Sequence, residues 1–337
     1  MTKSETSTIH NFDQRASFAK LMFLAVISIA LCSFGPLSIF APVPLILAFL
    51  LYGRVTTLFL GLISAAVLWF VSMKFAQMPF LLVGIYLVAF LYAVLIAEVI
   101  FRNINPVKGL MRAGLVLVTV SGISLFWFNQ LGKVSIKTQI STTIEATFAK
   151  LKESNKELFA TGGEDARAVQ EVLARPQDLA NEIYSILPSI VFIISFLGLW
   201  VSFFMTLRNS LIWRYKHLYT YSLKDLIHFK APDFLVYPLI TSLVLMVGAD
   251  YGLGKTAAVV GGNILYCLGV FYLFQGFGIY NDFLKYLRIR GFVKTLFIVF
   301  TLVMAFKFLA IIGMFDLWFD FRKYLTNNTN NKNDTKG

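Results

Sequence analysis

Apolar stretches of about 20 residues recur along this chain, separated by short basic connections. A helix needs roughly 20 residues to cross a hydrocarbon core about 30 Å thick, and it satisfies its own backbone polar groups there. Residues 21–33, 55–73, 80–100, 115–131, 186–207 and 297–314 are such stretches or parts of them. The expected fold is therefore all-α, a polytopic transmembrane helix bundle. About nine spans are read, at 17–34, 41–52, 55–73, 79–101, 111–131, 184–207, 233–249, 256–280 and 294–315. The second is short and contains Pro42 and Pro44, so it either crosses or re-enters; eight crossings remain in the latter case.

Charge orients the bundle. The net charge is +12 although only 14% of residues are charged. In a soluble chain such a balance points to nucleic acid. In a membrane chain Lys and Arg collect in connections that stay in the cytoplasm. With the N-terminus inside, sixteen Lys and Arg up to residue 294 fall on inner connections, against Lys74 and Lys255 on short outer ones. The same topology places residues 132–183 and the C-terminal tail, with Arg322, Lys323, Lys332 and Lys336, outside. The expected location is the bacterial inner membrane. The expected partners are the lipid bilayer, other membrane subunits and a small-molecule ligand, and not nucleic acid.

Five segments follow: a cytoplasmic tail 1–16, a five-span unit 17–131, a helical extracytoplasmic insertion 132–183, a four-span unit 184–315 and a tail 316–337 disordered from about 326. In the insertion, Ile136, Ile140, Ile144, Phe148 and Leu151 recur at helical spacing. Thr161-Gly162-Gly163 breaks that helix, and 164–173 reads as a second, making a hairpin.

Gly262, Gly269 and Gly276 recur every seven residues along the eighth span, a spacing that lets a neighbouring helix approach closely. Asn263 and Gln275 share that span. Ionisable residues inside spans are costly and mark ion pairs or functional sites. Glu98 and Arg102 are spaced for an i,i+4 pair. Lys307 lies deep in the last span, with Asp250 and Asp316 as candidate partners. Residues 208–232 interleave basic and aromatic side chains, as an interfacial helix does. The run Ala249 to Thr256 fits a relaxed phosphate-loop pattern, but it is a tight turn between spans rather than a strand–helix loop. Cys32 and Cys267 lie in apolar segments and imply no disulfide framework. No catalytic set, metal set or cofactor motif is read, and the expectation is a non-enzyme.

Three segments carry a family resemblance: Phe229-Lys230-Ala231-Pro232-Asp233-Phe234, then Gln275-Gly276-Phe277, and finally Gly313-Met314-Phe315-Asp316-Leu317-Trp318 with Arg322-Lys323. The chain resembles the YybS-like bacterial membrane proteins across most of 17–323. That resemblance implies a distant likeness in fold to the substrate-binding subunits of energy-coupling-factor transporters. It implies small-molecule binding or uptake with partner subunits, in a cavity for which Trp127, Asn129, Gln130, Asn263 and Lys307 are candidates. The alternative is a membrane scaffold or cell-envelope assembly factor working through 132–183 and 208–231.

Overall fold

The computed structural model describes residues 3–75, 79–131, 136–154 and 176–324. It is 89% helical, and no strand occurs among the described residues. The helices are α1 (Lys3–Ser33), α2 (Pro42–Tyr52), α3 (Arg54–Phe75), α4 (Pro79–Phe101), α5 (Pro106–Leu131), α6 (Ile136–Ser154), α7 (Pro176–Arg208), α8 (Leu223–Ile227), α9 (Val236–Gly248), α10 (Gly254–Tyr286), α11 (Gly291–Met304) and α12 (Phe306–Phe319). Among the described residues, six helical stretches are long and apolar enough to cross a membrane, or seven if α11 and α12 count as one broken span. One of the six, 233–286, is itself a hairpin. The backbone of Gly252 and Gly254 turns through positive φ, +118° and +75°, between α9 and α10. Gly261 then packs beside Ser242, and the Tyr272 hydroxyl donates to the Leu235 carbonyl at 3.4 Å. The two helices are thus antiparallel, as the expected seventh and eighth spans require. The helix read at 136–151 is α6; the second one, at 164–173, lies outside the described residues.

The chain divides into two compact units. The first comprises Met1–Val116, Ser195–Lys230 and Phe274–Gly337. In it, α1 and α2 form an antiparallel pair. Ser28 donates to the Ala41 carbonyl at 2.7 Å, and Leu21, Ala25, Ala48 and Leu60 make one buried apolar cluster. Pro42 is tolerated because it sits at the first turn of α2, where no intrahelical acceptor awaits its missing N–H. The doubtful second span is therefore a short helix antiparallel to α1, extended at its start by the 3-10 turn Gly35–Phe40. Gly53, at φ +90°, sends the chain directly into α3.

At one end of this unit the connection 209–222 folds back over the helix termini. It is not the interfacial helix expected there. Trp213 and Tyr219 are buried, because each polar tip finds a backbone acceptor: Thr206 at 3.0 Å for the indole, Ile104 at 3.0 Å for the phenol. Burial pushes the Tyr219 phenol above its ordinary range. The last carbonyls of α2 would lack partners. Lys216 donates to Leu51 at 2.6 Å, and His217 bonds Leu50 at 2.7 Å. Cationic groups are favourable at that end of the helix dipole. Ser222 and Asp225 form a capping box on α8. Hydrogen bonds from the Ser222 N–H and hydroxyl hold the Asp225 carboxyl below its usual range. That cap persists above the ordinary carboxylate range and fades as pH falls through the lowered pKa.

Glu98, at the same end, bonds both Arg102 and Arg54, the latter at 3.0 Å. Arg54 also lies 4.6 Å above the Phe101 ring centroid. The expected i,i+4 pair is present, and Arg54 makes it a triad. All three side chains are substantially exposed, so Glu98→Gln should cost at most about 1 kcal/mol. Denaturant titration in detergent at low and high salt checks this, with the difference shrinking as salt rises.

The second unit comprises Leu117–Ile194 and Ala231–Leu273. It holds the start of α7, the hairpin α9–α10, and α6. Gln177 reaches α6, donating to Glu145 at 2.7 Å and to Ser141 at 2.8 Å.

The span expected at 294–315 is not one straight helix. The chain breaks at Ala305, and α11 and α12 meet at 94°. Each has 14 residues, about 21 Å of rise, too short for a crossing alone. Helix α11 runs back along α10: Tyr280 accepts from the Thr301 hydroxyl at 2.8 Å and donates to the Phe297 carbonyl at 3.4 Å. Helix α12 then crosses α10 rather than following it. Leu309 and Gly313 both meet Gly276, while Asp316 meets Gln275. Seven residues of α12, about 10 Å, therefore advance past only two positions of α10.

Candidate functional site

The α10–α12 crossing is polar where it is most buried. Gln275 is fully enclosed, and its amide donates to Asp316 Oδ2 at 2.8 Å. Asp316 Oδ1 accepts the Phe321 N–H at 2.7 Å. The carboxyl thus caps the chain as it leaves α12 through Asp320, whose left-handed φ of +44° reverses its direction. That reversal returns Arg322 to the crossing. Its guanidinium donates to the carbonyls of Phe229 at 2.8 Å, His228 at 3.2 Å and Gln275 at 3.2 Å. A planar fork with five donors suits several fixed carbonyls at once; a lysine ammonium does not.

Glycine permits the close approach. At Gly276 a Cβ would overlap the Leu309 carbonyl, and at Gly278 it would lie 2.7 Å from the Ile227 carbonyl. Beside this clamp, His228 Nε2 lies 3.3 Å from Asp282, which also accepts from Lys285 at 2.8 Å. Trp200 stacks on Phe274 at 4.9 Å and meets Phe277 edge-on at 6.1 Å. The three segments that carried the resemblance thus meet in one place, through Phe229, Gln275, Gly276, Gly313, Asp316 and Arg322.

The other sequence-stated candidates have separate settings. The side chains of Trp127, Asn129 and Gln130, at the end of α5, lie outside the described residues. Asn263 sits in the second unit, beside the residues that flank Pro188 within α7. Its Oδ1 accepts the Ser189 N–H at 3.0 Å, and its Nδ2 donates to Ser185 at 2.8 Å and Val259 at 2.9 Å. Proline opens the helical ladder, and the amide bridges the donor and acceptor that a regular helix would join to each other. Asn263→Leu should therefore cost about 1–3 kcal/mol, and less when Pro188→Ala closes the ladder. Unfolding midpoints of the two single variants and the double variant measure that coupling.

Of the glycine row, only Gly276 makes a close contact; the Cβ positions of Gly262 and Gly269 are open. In the second unit the approach is made instead by Gly261, 2.7 Å from the Ser242 carbonyl. Asp316 joins Gln275 and the Phe321 N–H rather than Lys307. Lys307, in the first turn of α12, and Asp250 are both exposed and make no ion pair among the described residues. Among the described residues, no group of three or more His, Cys, Asp or Glu is placed to hold a metal.

One family, described as predicted membrane protein (DUF2232), matches residues 19–317. The chain belongs to that family. This DUF2232 member is a multi-pass membrane protein. The match runs from α1 to α12 and so includes Gln275, Gly276 and Asp316, but ends before Arg322. No curated protein and no solved structure matches the chain. Arg322 follows the last apolar stretch, where its cation reads as part of a tail. Its position after a short reversal beyond a buried acid is the signal that could have found it.

Proposed function

We propose that this DUF2232 protein is a non-enzymatic small-molecule binding or uptake subunit of the bacterial inner membrane, working with partner membrane subunits. In this reading the end bearing 209–230 faces the cytoplasm, which agrees with its basic connections. The observation that carries the reading is Lys307. It is a cation beside a break between two apolar helices, with no described carboxylate to pair with it. An unpaired charge among apolar helices costs roughly 2.5–3.5 kcal/mol at membrane depth. Broken helices are also where transporters bring ligands to helix ends. The resemblance to YybS-like proteins, and through them to transporter substrate-binding subunits, supports the same reading.

The test is purification in a mild detergent with mass spectrometry of extracted small molecules. The wild type and Lys307→Arg should carry the same near-stoichiometric compound, and Lys307→Met should lose at least about tenfold of it, as expected where a charge contact worth at least about 1.4 kcal/mol is removed. A wild type without any compound, or an equal load in Lys307→Met, would contradict the proposal.

One observation favours the second reading, a membrane scaffold or envelope-assembly factor. Leu211, Tyr215 and Leu218 stand out from the connection 209–222, with Leu218 96% exposed. Stoichiometric envelope proteins in the same preparation, lost on Leu211→Ser with Leu218→Ser, would support it over uptake.

A further inference from the structure

We propose that α11 and α12 form a re-entrant hairpin that enters and leaves the bilayer on one face, seated in lipid and held by anionic headgroups at the basic turn 285–294. The proposal does not rest on the uptake reading.

The ends of the hairpin decide its topology. Helix α10 is continuous from Gly254 to Tyr286, so α11 begins at the Tyr286 end. Arg322, just beyond α12, bonds the carbonyls of His228 and Phe229, and His228 lies beside Asp282 of α10. Both ends of the hairpin therefore lie at the same end of the first unit, with the connection 209–230. On this proposal residues 316–324, at the start of the tail expected outside, lie on the inner side instead. With the tail on the basic side, Arg322 and Lys323 join the other inner cations instead of opposing the charge bias.

Depth follows from α10. Its first acid toward that end is Asp282, and α12 crosses at Gly276, six residues earlier, about 9 Å along the axis. An in-plane helix buries its apolar side about 5–10 Å below the headgroups. The apolar exposure also selects the occupant. None of the 14 residues of α11 is buried. Lys294, Ile298 and Thr301 make a half-buried stripe toward α10, and the rest of the circumference is exposed, with Phe292, Leu296, Phe300 and Val303 at its centre and Phe297 and Leu302 toward its two edges. A single partner helix covers a narrow stripe, whereas acyl chains cover the whole of a wide exposed arc such as this one. At its entry, Lys285, Arg288 and Arg290 are exposed with no acid between residues 283 and 294. Arg288 adopts φ +59°, a helix-ending conformation that Gly or Asn adopts more readily. A guanidinium is thus kept where a neutral residue would be easier to place, beside a surface that attracts each cation near it by about a fivefold factor.

The experiment uses the full chain with Cys32→Ala and Cys267→Ala, carrying one new cysteine: Lys255→Cys, Ile311→Cys or Tyr324→Cys. It is reconstituted in phosphatidylcholine vesicles containing one quarter phosphatidylglycerol and treated with a membrane-impermeant maleimide from either face. Tyr324→Cys should react from the face opposite to Lys255→Cys, and Ile311→Cys should react only with a lipid-soluble maleimide. Reaction of Tyr324→Cys and Lys255→Cys from the same face would overturn re-entry and make the pair a broken span. Disulfide-linked dimers through Ile311→Cys would overturn lipid as the occupant in favour of a second copy. Arg288→Gln with Arg290→Gln should retain at least about tenfold less phosphatidylglycerol through purification, from two such factors. Equal retention would overturn the headgroup contact.

Discussion

Gly276→Ala is expected to lower the stability of the protein by about 1–3 kcal/mol, although alanine is the better helix former. The added Cβ would overlap a backbone carbonyl, that of Leu309, and lie 3.1 Å from the Gly313 nitrogen on the next turn. Backbone cannot rotate away as the end of a flexible side chain can. The whole crossing must open, and the Gln275–Asp316 hydrogen bond opens with it. Gly262→Ala and Gly269→Ala provide the contrast. Their Cβ positions are open, so each should be neutral or stabilising by up to about 1 kcal/mol. Unfolding midpoints in mixed micelles measure all three. Equal effects at the three positions would mean that helix propensity, not the crossing, governs this helix.

Asp316→Leu is expected to cost about 2–4 kcal/mol, because two buried donors lose their acceptor together. One is the Gln275 amide and the other the Phe321 N–H. The reversal at Asp320 would loosen, and Arg322 with it. Asp316→Asn should be far milder. Its Oδ1 can still accept from Phe321, and the Gln275 amide can flip to present its oxygen to the new amide. Thermal unfolding of the two variants separates loss of acceptors from loss of charge. If Asn is as damaging as Leu, the carboxyl serves by its charge toward Arg322 rather than by accepting these bonds.

Much of this fold was readable because the bilayer imposes a length and a polarity on each segment. The stretches at 55–73, 79–101 and 184–207 became α3, α4 and most of α7, since apolar content alone specifies a span. The break at Ala305 was not readable. No proline or glycine marks it, and hydropathy averages across it without a change. Residues 208–232 misled for a related reason. Their basic–aromatic composition suits an interfacial helix, yet Trp213 and Tyr219 gain more by taking buried carbonyl acceptors beneath the connection. At the site, Asp316 was legible as a charge in an apolar segment. Its partner was not, because a buried acid points to a cation and Gln275 is neutral. Arg54 was missed beside Glu98 because a contact 44 positions away leaves no local spacing. The heptad of glycines was a true regularity with only one close contact in it, since spacing along one helix says nothing of where the next helix crosses.

The most direct measurement is a double-mutant cycle between Gln275→Leu and Asp316→Leu, read as unfolding free energy in mixed micelles. If α12 crosses α10 as described, each single change strands a buried polar group, while the double change leaves an apolar pair. The double variant should then be more stable than the sum of the singles implies, by about 1.5–3 kcal/mol of coupling. Additive effects within about 0.5 kcal/mol would show that these residues do not meet and would contradict the account of the clamp.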